Sequence, residues 1–149
     1  RKESSAASYV YKRQDKYYAS RTLLSDAPPP PTIKIALYVE SDAERDAYPW
    51  VSELVPELRA VVSGKHWVDL MHPDTDKGLA LSQLAEAMGV AMSETAAFGD
   101  YLNDLGMLRV AGHAVAMGNA HEDLKAVADE VVGTNVDGAA VERLAQWLA

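Results

Sequence analysis

The chain has 149 residues, 48% hydrophobic and 24% charged, so it can bury a core and is expected to be globular rather than disordered. Its net charge of -8 argues against nucleic acid as a partner, because phosphate backbones select basic surfaces. The absence of cysteine excludes disulfides, thiolate chemistry and zinc–cysteine sites, and no apolar run reaches the length of a membrane span or has the form of a signal peptide.

A cytoplasmic protein without a membrane partner is therefore expected, although the first residue, Arg1 rather than Met, suggests that the natural start lies upstream. Residues 1–7 are polar. Residues 8–18 are rich in tyrosine and read as two short strands about Gln14-Asp15, their rings suited to half-buried sheet packing. The proline run at 28–31 must be extended and cannot enter a sheet interior, which suits a stiff connector. Residues 32–40 then alternate, with Ile33, Ile35, Leu37 and Val39 facing one way and Lys34, Tyr38 and Glu40 the other. That is a strand of an antiparallel sheet with one wet face.

Ser41 with Glu44 suggests a capping box for the next helix. Its stripe runs through Ala47, Val51, Leu54, Val55 and Leu58, kinked or divided by Pro49 and Pro56. Residues 66–71 read as another strand, and Trp50 and Trp67 are expected to pack this α+β layer.

From Asp76 helices and strands alternate. Leu81, Leu84, Ala85 and Met88 form the stripe of a helix over 76–88, which Gly89 stops in the left-handed conformation. There follow a strand at 95–98, a helix at 104–110, a strand at 114–117 and a turn at Gly118-Asn119, where Asn119 and Glu122 resemble a second capping box. Leu124, Val127 and Ala128 mark a short helix, and Val131-Val132 a brief strand. The last helix places Val141, Leu144, Ala145 and Leu148 on one face, with Trp147 expected to close the sheet edge. This alternation predicts an α/β fold with a Rossmann-like parallel sheet.

The most informative stretch is 93–107. Its apolar run breaks at Gly99 and releases Asp100, Asn103 and Asp104 before Leu105. Open α/β sheets present ligands at the carboxyl ends of their strands. A carboxylate there can hold a hard cation, and a helix start beside it favours an anion. Together they suggest a phosphate ester with magnesium, although an Asp/Asn-rich turn with a helix cap fits the same residues. Lys77 is the second candidate, since a cation at a helix start opposes the helix dipole unless an anion lies between. The plainer alternative is a solvated lysine compensated by Asp74 and Asp76. His66, His72, His113 and His121 show no metal-ligand spacing and are expected at the surface or at helix caps.

Lys77-Gly78, then Phe98-Gly99-Asp100-Tyr101-Leu102-Asn103-Asp104, then Val115-Ala116-Met117-Gly118-Asn119-Ala120, with Asp137-Gly138 before the last helix, form an ordered set. In order and separation it closely resembles the carboxyl-terminal part of Cof-type phosphatases of the haloacid dehalogenase superfamily. The resemblance covers about residues 67–149, whereas residues 1–66 resemble the α+β cap of those enzymes only loosely. It implies a partial cap with a Pro-rich connector at 1–71 and the C-terminal half of the hydrolase core at 72–149. It further implies magnesium-dependent hydrolysis of small phosphorylated metabolites such as sugar phosphates, through an aspartyl-phosphate intermediate. By the same resemblance Lys77 binds the phosphoryl group and offsets the charge of the nucleophile, Asn103 contacts phosphate and Asp100 coordinates magnesium. Asp104 is the second acid, which supports the metal shell and the chemistry, and the turn at Gly118-Asn119-Ala120 is mainly structural.

One part of the family pattern is missing. Its nucleophile is the first aspartate of an Asp-x-Asp motif after an early apolar strand, and no such motif stands before Ser41. Asp74-Thr75-Asp76 has the spacing, but Lys77 follows directly, so a helix-start loop whose acids cap backbone N–H groups is expected there. The missing N-terminal half of the core is expected from upstream sequence or from another chain. The alternative is a non-catalytic phosphosugar-binding or regulatory module. As it stands the chain is expected to be inactive, with an unpaired sheet edge next to 95–98 or 114–117.

Overall fold

The alternating segment near the start does become a strand, but only part of its apolar face is covered. The computed structural model describes residues 33–149; the tyrosine-rich strands and the proline connector expected earlier lie outside the described residues. Strand β1 (Lys34–Tyr38) pairs antiparallel with β3 (Trp67–Met71), which also pairs antiparallel with β2 (Arg59–Gly64) in the order β1-β3-β2. Leu37 and Val39 pack on the core of this sheet, while Ile35 remains 47% exposed. No strand is expected at β2 from the sequence pattern, because its apolar run is too short to declare a period.

Between β1 and β2 lie α1 (Ala43–Asp46) and α2 (Tyr48–Leu54), divided at Ala47, with Pro49 in the first turn of α2, where its missing N–H costs nothing. The cap of α1 is Asp42 rather than Ser41: its carboxylate accepts from the Arg45 N–H at 3.1 Å. Ala43, Ala47 and Val51 are buried with Val62, Val68 and Leu70, whereas Leu54 of the expected stripe is exposed. Trp67 packs edge-on to Tyr38 at 5.0 Å. Trp50 instead lies at the surface, where its indole donates to the Asp46 carbonyl at 2.9 Å.

Helix α3 (Lys77–Met88) begins at the Asp76 cap and ends at Gly89, φ 69°, as the sequence predicts. Only part of the expected stripe is covered, Leu81 packing on the core beside buried Ala85. Gly78 and Ala85 are buried, but Leu84 and Met88 are exposed. Strands β4 (Ala96–Gly99), β5 (His113–Ala116) and β6 (Glu130–Val131) then form the parallel sheet, with Ala97 opposite Ala114 and Phe98 opposite Val115.

A 3-10 turn (Leu102–Asp104) and α4 (Leu105–Val110) follow β4, and α5 (Glu122–Val127) follows β5. The cap of α5 is His121, whose Nδ1 accepts from the Asp123 N–H at 3.2 Å, and not Asn119. Leu108, Ala114, Ala116 and Leu124 lie at the centre of this second core. In α6 (Ala139–Leu148) the expected stripe of Val141, Leu144 and Leu148 is exposed. Trp147 reaches Phe98 at 5.6 Å and His113 at 5.5 Å, so it covers a face of the sheet rather than its edge.

Among the described residues β4 and β6 are the edge strands and β5 is central, so of the two strands expected beside an open edge it is β4 that has one. Both sheets belong to one compact unit, Lys34–Ala149, and Leu102 packs against both cores. Among the described residues no helix is long and apolar enough to cross a membrane.

Leu124 is fully buried and Leu84 is 57% exposed. Leu124→Ala is expected to lower unfolding stability by about 2–5 kcal/mol, and Leu84→Ala to leave it within about 0.5 kcal/mol. Urea unfolding of the two variants checks which face of each helix is covered.

Candidate active site

The site grows from the end of β4. A side chain at Gly99 would place its Cβ 2.7 Å from a Leu108 methyl and 2.8 Å from the Asp104 Cβ, so glycine lets the following loop fold back on the strand. The Asp100 N–H then donates to Asp104 Oδ2 at 3.1 Å. The other oxygen of Asp104, Oδ1, accepts from Lys77 Nζ, which arrives from the first position of α3. Asp104 is only 7% exposed. A carboxylate removed from water needs a partner on each oxygen, and these two groups supply them.

Lys77, Asp104 and Asp100 are therefore joined in one hydrogen-bonded chain, although Lys77 and Asp104 are 27 positions apart. Asn103 stands one residue before Asp104 in the 3-10 turn, half-buried, and among the described residues is not a member of that chain. Compensation of Lys77 by Asp74 and Asp76 does not occur. Asp74 is 85% exposed, and the ring of His72 lies 3.7 Å from its carboxylate. Asp76 caps α3: Oδ1 accepts from the N–H groups of Gly78 at 2.8 Å and Leu79 at 3.1 Å, and Oδ2 accepts from Arg59 at 2.5 Å. Of the two acids in Asp74-Thr75-Asp76, only the second caps the helix.

Asp100 is held further by loops that leave the neighbouring strands. Its Oδ2 accepts from the Asn135 side-chain amide at 2.6 Å, and the Asn135 N–H donates to Asn119 Oδ1 at 2.9 Å. The Asp100 carbonyl accepts from the His121 N–H at 2.9 Å. Sequence reasoning passed over Asn135. The one available signal was its position just before Asp137-Gly138.

The antiparallel sheet also reaches this loop. His121 Nε2 lies 3.3 Å from Glu44 Oε2, and the His121 ring stands edge-on to Tyr101 at 5.8 Å. Burial pushes the Tyr101 phenol above its ordinary range, and the carboxylates of Glu44 and Asp42 add to that shift. His113, at the opposite end of β5, sits between Glu130 at 3.3 Å and Asp129 at 3.7 Å, away from these groups in the chain of contacts.

The donors suit magnesium in kind, being carboxylate oxygens. Among the described residues no group of three or more His, Asp or Glu side chains gathers to hold a metal. Magnesium, however, commonly keeps several waters and binds through one or two carboxylates. Asp100 has Oδ1 to offer beside the oxygen that Asn135 holds, whereas both oxygens of Asp104 are engaged.

The haloacid dehalogenase-like hydrolase family matches residues 2–144, and the chain belongs to that family. It is 47% identical over 83 residues to the phosphatase YwpJ of Bacillus subtilis, an alignment covering 56% of this chain and 29% of that protein. It is 46% identical over 68 residues to the pyridoxal phosphate phosphatase YbhA of Escherichia coli, covering 46% of this chain and 25% of the relative. A solved haloacid dehalogenase-like hydrolase from Bacteroides thetaiotaomicron superposes with a TM-score of 0.69 at 30% identity, over 97% of this chain and 56% of that one. The resemblance to that family is borne out, as is the α/β fold. The chain spans less than a third of the length of the two curated relatives.

The Asp76 cap generates a test by pH. Burial acts to raise this carboxyl, but the Leu79 N–H, the Arg59 guanidinium and the Gly78 N–H outweigh it and hold it below the ordinary range. A depressed folded value makes the contribution to stability fully present above the unfolded value, about 3.9, and lost as pH falls through the folded value. Asp76→Asn keeps a good cap residue and is expected to flatten the acid loss of stability below about pH 4. Urea midpoints measured from near neutrality into that range, on both forms, check it.

Proposed function

We propose that this chain carries the phosphoryl-binding and metal-supporting part of a magnesium-dependent phosphatase acting on small phosphorylated metabolites, sugar phosphates among them. The observation that supports this best is the Lys77–Asp104–Asp100 chain at the carboxyl end of a parallel strand, where α/β sheets bind ligands. Membership of the hydrolase family and the phosphatase activities of the two curated relatives support it independently.

In this proposal Lys77 presents a compact positive charge to the phosphoryl oxygens. Asp104 holds that charge in place from behind and, through its other oxygen, fixes the backbone of Asp100. Asp100, oriented by Asn135, is the residue that would hold magnesium, with Asp104 supporting it. The Asn103 amide donates to the phosphate. Magnesium, when bound, neutralises charge on the phosphoryl oxygens, which is where phosphoryl transfer gains most. Asp74 is solvated and apart from Lys77, so the attacking aspartate is assigned to an Asp-x-Asp segment outside these residues, in the same or another polypeptide. That aspartate would form the aspartyl-phosphate intermediate.

Calorimetric titration of inorganic phosphate into the 149-residue chain with magnesium tests the binding half. Lys77→Ala is expected to weaken the affinity by about 10- to 100-fold, the worth of a hydrogen bond to a charged group. Equal affinity in that variant would overturn the role of Lys77. On p-nitrophenyl phosphate the chain is expected to turn over no faster than its Asp100→Asn variant. Hydrolysis well above that control would place a nucleophile within the chain and make Asp74 the first suspect.

A further inference from the structure

Arg59 opens β2, the edge strand of the antiparallel sheet, and its Nη2 donates to Asp76 Oδ2 at 2.5 Å. Asp76 directly precedes Lys77 and uses its remaining oxygen to cap the first turn of α3 through Gly78 and Leu79. One carboxylate is thus gripped from both sheets' layers at once. It also has no room to turn. A Cβ on Gly106 would lie 2.7 Å from each Asp76 oxygen, and a Cβ on Gly78 would lie 2.9 Å from Oδ1. Two glycines let the backbones of α3 and α4 close around that group.

The Lys77 side chain leaves this same first turn, and its flexible stem is long compared with the precision its ammonium needs. Wherever Asp76 sits, the origin of that stem sits too. The Arg59–Asp76 pair is itself partly exposed, 38% and 23%, so as a surface ion pair it adds little to stability. Its larger consequence is geometric.

We propose that Arg59 is a positioning residue for Lys77: by holding Asp76 it sets the first turn of α3, and so lets the antiparallel layer govern how tightly the parallel layer binds a phosphoryl group. The inference rests on the phosphoryl-binding role proposed above for Lys77. Two alternatives make different predictions. Arg59 as a remote positive charge would attract phosphate whether or not Lys77 is present, and Arg59 as a structural tie would alter stability alone.

The test is a cycle on the whole chain, with inorganic phosphate as the probe. Arg59→Met, which keeps much of the stem and removes the charge, is expected to weaken phosphate binding about 3- to 10-fold, the usual size of coupling between contacting groups. Arg59→Lys should recover part of that loss, because an ammonium can still reach one carboxylate oxygen. In the Lys77→Ala background Arg59→Met should have no further effect. A second readout needs no phosphate: the 1H–15N signal of the Lys77 ammonium should shift or broaden in Arg59→Met and return in Arg59→Lys. An unchanged ammonium signal, or an equal loss of affinity with and without Lys77, would overturn the inference, as would a lowered thermal midpoint with unaltered phosphate affinity. Lys77→Ala binding phosphate normally would remove the role of Lys77 and this inference with it. If Lys77→Ala weakens binding and Arg59→Met does not, only the role of Arg59 fails.

Discussion

A carboxylate at 7% exposure must be answered on both oxygens, and at Asp104 the answers come from two separate elements. Lys77 reaches it from the start of α3, and the Asp100 N–H reaches it from the end of β4. The cost of burying the charge is thereby converted into a fixed distance between a lysine and the loop after a parallel strand. Gly99 permits the loop to turn under Asp104, and the short 3-10 turn presents the acid to both partners. The Lys77 side chain is still 49% exposed, so the pair is partly screened and its charge remains open to a ligand.

The antiparallel layer bears on this arrangement through few but specific contacts. Arg59 holds the residue before Lys77, and Glu44 meets His121, whose N–H in turn holds the Asp100 carbonyl. Leu102, two residues after Asp100, packs on the cores of both sheets. Each contact lands beside a candidate site residue rather than on it. An element that contributes no ligand can then still alter how the ligands are aimed, because helix starts and tight turns transmit a displacement over one or two residues.

The parallel layer leaves apolar surface uncovered. Leu84 and Met88 of α3 and Val141 and Leu148 of α6 are exposed, and β4 presents unpaired backbone groups on its outer side among the described residues. Open edges and apolar faces of this kind favour association with further strand or helix. The same chain covers only 56% of the solved hydrolase that it follows over 97% of its own length. These observations fit a family core that is larger than the residues described.

Much of the local architecture was legible before any coordinates. Asp76 as a cap and Gly89 as a left-handed stop depend on hydrogen bonds made within a few residues, and the break at Gly99 and the alternation of strands with helices on local backbone preference and apolar pattern, so the sequence alone determined them. Capping residues were misplaced where several polar side chains stood together, as at Ser41 against Asp42 and Asn119 against His121, since their backbone angles decide which one can reach the free N–H. Periodicity placed Leu81 and Ala85 of α3 on the covered side, but not that Gly78 would join them while Leu84 and Met88 stayed exposed. The partners of Lys77, Asp100 and Asp76 are Asp104, Asn135 and Arg59, separated by 27, 35 and 17 positions. Only the tertiary structure could decide those, because a charge chooses its partner by distance in space, and distance in space is set by how the layers pack.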